Sequence, residues 1–230
     1  MCMQAVILAG GKGVRMRPLT DTLPKPLVPL WGRTLLDHVL ERLPVGVTEI
    51  VVVVKYRGAQ IRAHVGDVYR GVPVVYVEQG EPDGTGGALA AARGVLRERF
   101  LVVNADDLHE RAALEELCTY PYALLAAESD TPERFGVLSV REDGILLTVE
   151  EKPAEPASNL VNTGAMVLDH RVFAYHAPLV GVELRLTDLV MQLAADVPVR
   201  VVRQRKWCSV GTLEELEQVN GEVCGLVEQE

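Results

Sequence analysis

The segment Ala9-Gly10-Gly11-Lys12-Gly13-Val14-Arg15 follows directly on the apolar run at residues 5–8. Three glycines within four positions let successive backbone N–H groups curve around an anion, because no Cβ blocks the approach. Arg15 and Lys25 add cations to the same stretch, and Pro18, Pro24, Pro26 and Pro29 delay the next helix. A connection of more than about 20 residues is uncommon inside a compact domain and usually functional. The chemistry this pattern suits is phosphate binding. Two familiar phosphate loops do not fit. A dinucleotide fingerprint needs a third glycine where Met16 stands and an acidic residue near Lys55, and G-x-x-x-x-G-K-[ST] is absent.

The second constellation is Asn104-Ala105-Asp106-Asp107, after the apolar run at residues 100–103. A carboxylate at the end of a central strand is placed to hold Mg²⁺, a hard ion that takes carboxylate, water and phosphate oxygens. A solvated turn or a helix cap accommodates the same pair. If the chain is extended here and Asp106 faces inward, Asp107 points elsewhere. The five histidines (His38, His64, His109, His170, His176) show no metal-ligand spacing, and no local nucleophile motif is present.

These residues need a scaffold, and composition bounds it. At roughly 150 residues per domain, 230 residues make one large domain or two small ones. Apolar residues are 48% and charged residues 24%, which suits a globular chain with a full core. Lys plus Arg is 23 against 32 Asp plus Glu, a formal charge of −9 that argues against sequence-independent nucleic-acid binding. No apolar stretch approaches the roughly 18 residues of a membrane span, and the start lacks the features of a signal peptide. Cys2, Cys118, Cys208 and Cys224 have no paired spacing and read as free thiols. A cytoplasmic protein without membrane or nucleic-acid partners is expected.

Apolar runs alternate with helical patterns. Strands are expected at residues 4–8, 49–54, 72–77 and 100–104, with helices at 35–43, 60–65, 85–96 and 112–119. Runs apolar on both faces suit central strands of a parallel sheet with helices on both sides. The second half predicts a hairpin from residues 136–140 and 145–150 around Glu142-Asp143-Gly144, a strand at 161–168, a helix at 188–195 and a strand at 197–203. Thr212 and Glu215 are spaced as a capping box for a last helix at 212–219. The simplest account is one α/β domain over residues 1–230, a Rossmann-like, mixed, mostly parallel sheet flanked by helices. In such sheets ligands sit beyond the carboxyl ends of the strands.

The run Gly10 to Thr20 (G-G-K-G-V-R-M-R-P-L-T), followed by Leu23-Pro24-Lys25-Pro26-Leu27-Val28-Pro29, resembles the signature of the sugar-1-phosphate nucleotidylyltransferases. Glucose-1-phosphate thymidylyltransferases and mannose-1-phosphate guanylyltransferases belong to this type. Val14 departs from the family's usual threonine. Tyr76 to Ala88 (Y-V-E-Q-G-E-P-D-G-T-G-G-A) is similar to the family's base-binding loop. Glu150-Glu151-Lys152-Pro153 and Asn162-Thr163-Gly164 are similar to its sugar-phosphate segment.

The resemblance implies the nucleotide-diphospho-sugar transferase fold. It implies a nucleotide-binding half at about residues 1–110 and a sugar-phosphate-binding half at about 111–230. The chain would be too short for the left-handed β-helix that some relatives carry. The activity implied is joining of a nucleoside triphosphate to a sugar 1-phosphate, with release of pyrophosphate, assisted by Mg²⁺ or Mn²⁺. Homo-oligomers are compatible with it. By the same resemblance Arg15, Lys25 and Lys152 are catalytic, and Leu8, Gly10, Gly11, Gly13, Gln79, Gly84 and Thr85 bind the nucleotide. Asn104, Glu151, Asn162, Gly164 and Glu183 bind the sugar phosphate, with Gly164 letting the sugar approach the backbone. Asp106 takes the metal. In Trp207-Cys208-Ser209-Val210-Gly211-Thr212, Ser209 stands where the family's second metal aspartate is expected. That substitution leaves two readings: an active transferase, and a nucleotide-binding paralogue that has lost catalysis.

Overall fold

The computed structural model describes residues 3–221. Along the chain come β1 (Met3–Leu8), β2 (Pro29–Leu30), β3 (Arg33–Thr34), α1 (Leu35–Glu41), β4 (Val47–Val54), α2 (Gly58–Val65), β5 (Val68–Tyr69), β6 (Val72–Glu78), α3 (Gly84–Ala92) and β7 (Arg99–Asn104). Then follow β8 (Asp107–His109), α4 (Arg111–Leu117), β9 (Ala123–Glu128), β10 (Gly136–Val140), β11 (Leu146–Glu151), β12 (Leu160–Asp169), α5 (Leu186–Asp196), β13 (Arg200–Arg203), β14 (Trp207–Ser209) and α6 (Leu213–Gly221). Ten strands form one mixed sheet with β11-β10-β12-β7-β1-β4-β6-β5 as its main path, while β9 pairs with β12 and β13 with β9. The centre, β7-β1-β4-β6, is parallel.

Alternation along the central strands sends side chains into two cores, one on each face. Ala5 and Ile7, Ile50 and Val52, Leu101 and Val103 pack on one side. Val6, Val51 and Val53, Phe100 and Val102 pack on the other. Each such fully buried apolar side chain stabilises the fold by about 1.5–3 kcal/mol. The Val and Ile runs are therefore continuous because both faces are covered.

The predicted helices and strands recur with shifted ends. The helix expected to reach residue 96 stops at Ala92. Beyond it Arg93 and Val95 donate tight-turn bonds to Ala90 O (3.2 Å) and Ala92 O (3.0 Å), and Gly94 follows. β9 is absent from the sequence reading. Its residues, Ala-Leu-Leu-Ala-Ala-Glu, are strong helix formers without polar alternation, yet they pair on both edges with β12 and β13. Long-range pairing decided that segment. The free-thiol expectation fails at Cys208, which is disulfide-bonded, because spacing along the chain does not reveal proximity in space. Cys118 is a buried free thiol whose pKa burial pushes up to about 11. Cys2 and Cys224 lie outside the described residues.

One irregularity positions the site. β12 pairs with β9 along one edge. Along its other edge it pairs first with β10, at Val161, and then with β7, from Ala165 onward. Between these contacts, two extra residues of β12 bulge against β9, and Gly164 takes a positive φ of 82°. The sheet opens there, just beyond the carboxyl end of β7.

Candidate active site

A cleft of about 670 Å³ lies over the carboxyl ends of β1, β4 and β7. One wall is the glycine loop. Gly13 has φ +60°, and a Cβ there would stand 2.9 Å from Lys25 Cβ, so the loop closes only with glycine. Gly11 has no atom within 4 Å of a hypothetical Cβ, so its backbone faces open space. Arg15 projects from a single 3₁₀ turn, Val14–Met16, anchored by buried Met16.

The loop at residues 79–86 closes the same side. Gln79 Nε2 donates to Pro82 O (3.3 Å) and Gly84 O (3.1 Å), which leaves its Oε1 as the free end, beside Gly10. Gly84 has φ +87° and sits against the Leu184 carbonyl, 2.5 Å from a hypothetical Cβ. The loop is zipped to the segment before α5. Asp83 N–H donates to Val182 O (3.0 Å), Leu184 N–H to Asp83 O (2.8 Å), Gly86 N–H to Leu184 O (2.8 Å) and Leu186 N–H to Thr85 Oγ1 (3.1 Å). Lys55, at the end of β4, is ion-paired to Asp83 and to Glu81.

The opposite wall carries Glu151 and Lys152 at the end of β11, Asn162 and Gly164 on the β12 bulge, and exposed Glu183 on the loop before α5. The glycine at 164 has a local cause. A Cβ there would overlap Asn104 Nδ2 and stand 2.7 Å from Asp107 Oδ2. Those side chains, rather than open cleft, occupy the space that Gly164 leaves.

The aspartates divide differently from expectation. Asp106 lines the cleft and is ion-paired to Lys25, whose buried side chain lies beneath the glycine loop and off the cleft wall. Asp107 also lines the cleft, contrary to the expected alternation, because residues 105–106 form a turn between β7 and β8 rather than extended chain. Its carboxylate accepts from Asn104 Nδ2 (3.0 Å) and Trp207 Nε1 (3.2 Å), and Ser209 stands opposite it on β14. Burial, then the neighbouring Asp106, raise its pKa to about 7, against the lowering effects of Asn104, Lys25 and Ser209.

Among the described residues, the cleft-lining cations Lys12, Arg15, Lys152 and Arg185 make no side-chain hydrogen bond or ion pair. Arg134 also lines the cleft but is bound to Glu215 (2.6 Å). Glu215 completes the predicted capping box with Thr212. Four unpaired cations against a glycine backbone fit a ligand with several anionic groups. Every nucleotide and sugar-phosphate position named from the sequence, with Arg15, Lys152, Asp106 and Ser209, lines this one cleft; Lys25 alone does not. The sequence reading missed Asp107, Trp207, Lys55, Arg134 and Arg185 as cleft residues. Only the doubled aspartate offered a signal.

Fold and cleft together define an α/β protein with a cleft lined by glycines and unpaired cations at the ends of parallel strands. The chain belongs to the nucleotidyl transferase family, whose profile matches residues 4–224. It is 34% identical over 99% of its length to the bifunctional protein GlmU of Methanocaldococcus jannaschii, and the match spans 58% of that protein. It is 35% identical to the UTP–glucose-1-phosphate uridylyltransferase AglF of Haloferax volcanii, covering 74% of each chain. The chain spans about half the length of the GlmU relatives it matches. A Bacillus anthracis protein assigned as a glucose-1-phosphate thymidylyltransferase superimposes with a TM-score of 0.88 at 26% identity, covering 100% of this chain and 98% of that one. A UDP-glucose pyrophosphorylase shares the fold, with a TM-score of 0.84 at 20% identity.

Proposed function

We propose that the protein joins a nucleoside triphosphate to a sugar 1-phosphate, giving a nucleotide sugar and pyrophosphate. The observation that carries this reading is the pairing, in one cleft, of unpaired cations and a glycine cradle with a wall of hydroxyl-binding side chains. Glu151, Asn162 and Glu183 suit sugar hydroxyls, and Asn104 flanks them. The AglF and Bacillus anthracis relatives are named for glucose 1-phosphate. The nucleotide half corresponds to about residues 1–110 and the sugar-phosphate half to the remainder.

The chemistry requires one phosphate oxygen to attack the α-phosphorus in line. Repulsion between anions is the main obstacle: two unit charges about 4 Å apart cost roughly 1 kcal/mol in water and roughly 4 at an effective dielectric near 20. Arg15, Lys12 and the glycine N–H groups hold the triphosphate, and Lys152 holds the sugar phosphate. Lys25 acts through Asp106, which it fixes. The attacking oxygen is already ionised near neutral pH, so the chain's task is positioning and charge stabilisation. Gln79 offers an acceptor to the base, which favours the imino N–H of uracil, thymine or guanine over the lone pair of cytosine or adenine.

The donor set suits a hard divalent cation. Asp106, Asp107 and Ser209 present only oxygens, and no cysteine or histidine lines the cleft among the described residues. Phosphate oxygens and water would complete the shell. Mg²⁺ or Mn²⁺ bound there supplies charge neutralisation for the phosphates.

Pyrophosphate release tests the reading, with UTP, dTTP, GTP, CTP and ATP each combined with a panel of sugar 1-phosphates. Release confined to one of the first three nucleotides with one sugar is expected. Nucleotide binding without release from any pair would favour the non-catalytic paralogue.

A further inference from the structure

We propose that Asp107 replaces residue 209 as the second metal-facing carboxylate of this site, with Ser209 acting as the hydroxyl that orients it. This rests on the proposed transferase reading. The β8–β14 ladder sets Ser209 directly opposite Asp107, and both residues line the cleft. Val210 N–H donates to Asp106 O (3.1 Å), so the end of β14 is fixed alongside both aspartates. A carboxylate at either rung therefore reaches the same end of the cleft.

Charge balance gives the second reason. Lys25 is bound to Asp106 and neutralises it. Ser209 is neutral. Without Asp107 this corner would carry no net negative charge for a divalent cation, although it stands among phosphate-binding cations that need one. Asp107 supplies that charge. Asn104 Nδ2 and Trp207 Nε1 hold its two oxygens in place, and Gly164 leaves the space that Oδ2 fills. With Asn104, Trp207 and Ser209 as donors, one of the carboxylate's roughly four lone-pair sites is left to face a cation.

The test exchanges the two residues. Asp107→Ser/Ser209→Asp keeps one carboxylate and one hydroxyl on facing rungs, so it preserves the pair with its members exchanged. Mn²⁺ binding would be measured by electron paramagnetic resonance with UTP, dTTP or GTP present and no sugar phosphate, so that nothing turns over. The exchanged protein is expected to bind Mn²⁺ within about threefold of the natural one. Asp107→Ser alone is expected to lose about 100-fold, and Ser209→Ala roughly 10-fold through misorientation of the carboxylate. The inference is overturned if Asp107→Ser binds Mn²⁺ as the natural protein does. It is equally overturned if the exchanged protein binds about tenfold tighter than the natural one, since residue 209 would then have filled a position that Asp107 never served. Natural protein that takes up no Mn²⁺ beyond the nucleotide's own would overturn the metal assignment itself. Pyrophosphate release, measured separately, decides the transferase reading.

Discussion

The two walls of the cleft are built on different principles. The wall proposed for the nucleotide is backbone. Gly10, Gly11, Gly13, Gly84 and Gly87 bring main-chain groups close to one another or leave them open, and side chains do little there beyond Gln79, Lys12 and Arg15. The wall proposed for the sugar is side chains: Glu151, Lys152, Asn162 and Glu183 project from a splayed strand, a bulge and a loop. Backbone contacts read what every nucleotide shares. Side chains can be exchanged without rebuilding the chain path, so the sugar wall is where specificity can drift on a constant scaffold.

Substitutions can break this contrast, and the largest effect is expected at the phosphates. Arg15→Ala should lower kcat by about 100- to 1,000-fold while thermal unfolding stays unchanged, as removal of a preorganised charge partner does. Steady-state rates and a melting curve check both parts.

The next effect lies under the sugar wall. His109 is buried on β8, with Nδ1 accepting from Gln204 Nε2 (3.0 Å), and burial lowers its pKa from 6.5 to about 4. The unfolded chain takes up a proton near pH 6.5 that the folded chain refuses until about 4. The stabilisation is therefore complete above pH 6.5 and is lost as the pH falls toward 4, by about 3 kcal/mol. Asp107, whose pKa is held up at about 7, titrates with the opposite sign in the same window, so the slope should appear as the difference in urea unfolding between the natural protein and His109→Leu across that range.

Smaller effects sharpen the contrast between the walls. A methyl at Gly87 would collide with the Pro82 carbonyl, so Gly87→Ala should destabilise by about 1–3 kcal/mol and weaken nucleotide binding together. Gly11→Ala meets no protein atom, so it should leave stability intact and weaken nucleotide binding only. Calorimetric titration beside melting curves separates the two cases. On the other wall, Glu183→Gln should raise KM for the sugar 1-phosphate roughly 10-fold with nucleotide affinity unchanged.

The sequence made the nucleotide wall more legible than the sugar wall for the same reason. Glycines and prolines at fixed spacing act locally, so the loop and its place on the cleft can be read from residues 9–29 alone. The double-faced Val and Ile runs announced the parallel centre of the sheet. β9 was invisible because its alanines and leucines carry helix propensity that long-range pairing overrides. Asp107 was misplaced because a turn at residues 105–106 breaks the alternation assumed for it. The neutralising contact of Lys25 with Asp106, 81 residues apart, has no local signature.

The most direct test of the central claim follows the label through one turnover. Protein would be incubated with the accepted nucleoside triphosphate, labelled with ³²P at the α- or the γ-phosphate, and with its sugar 1-phosphate. Attack on the α-phosphorus predicts α-label in the nucleotide sugar and γ-label in pyrophosphate. Label from the γ-position in orthophosphate or in a phosphorylated sugar, with the α-label left in nucleoside diphosphate, would contradict the account.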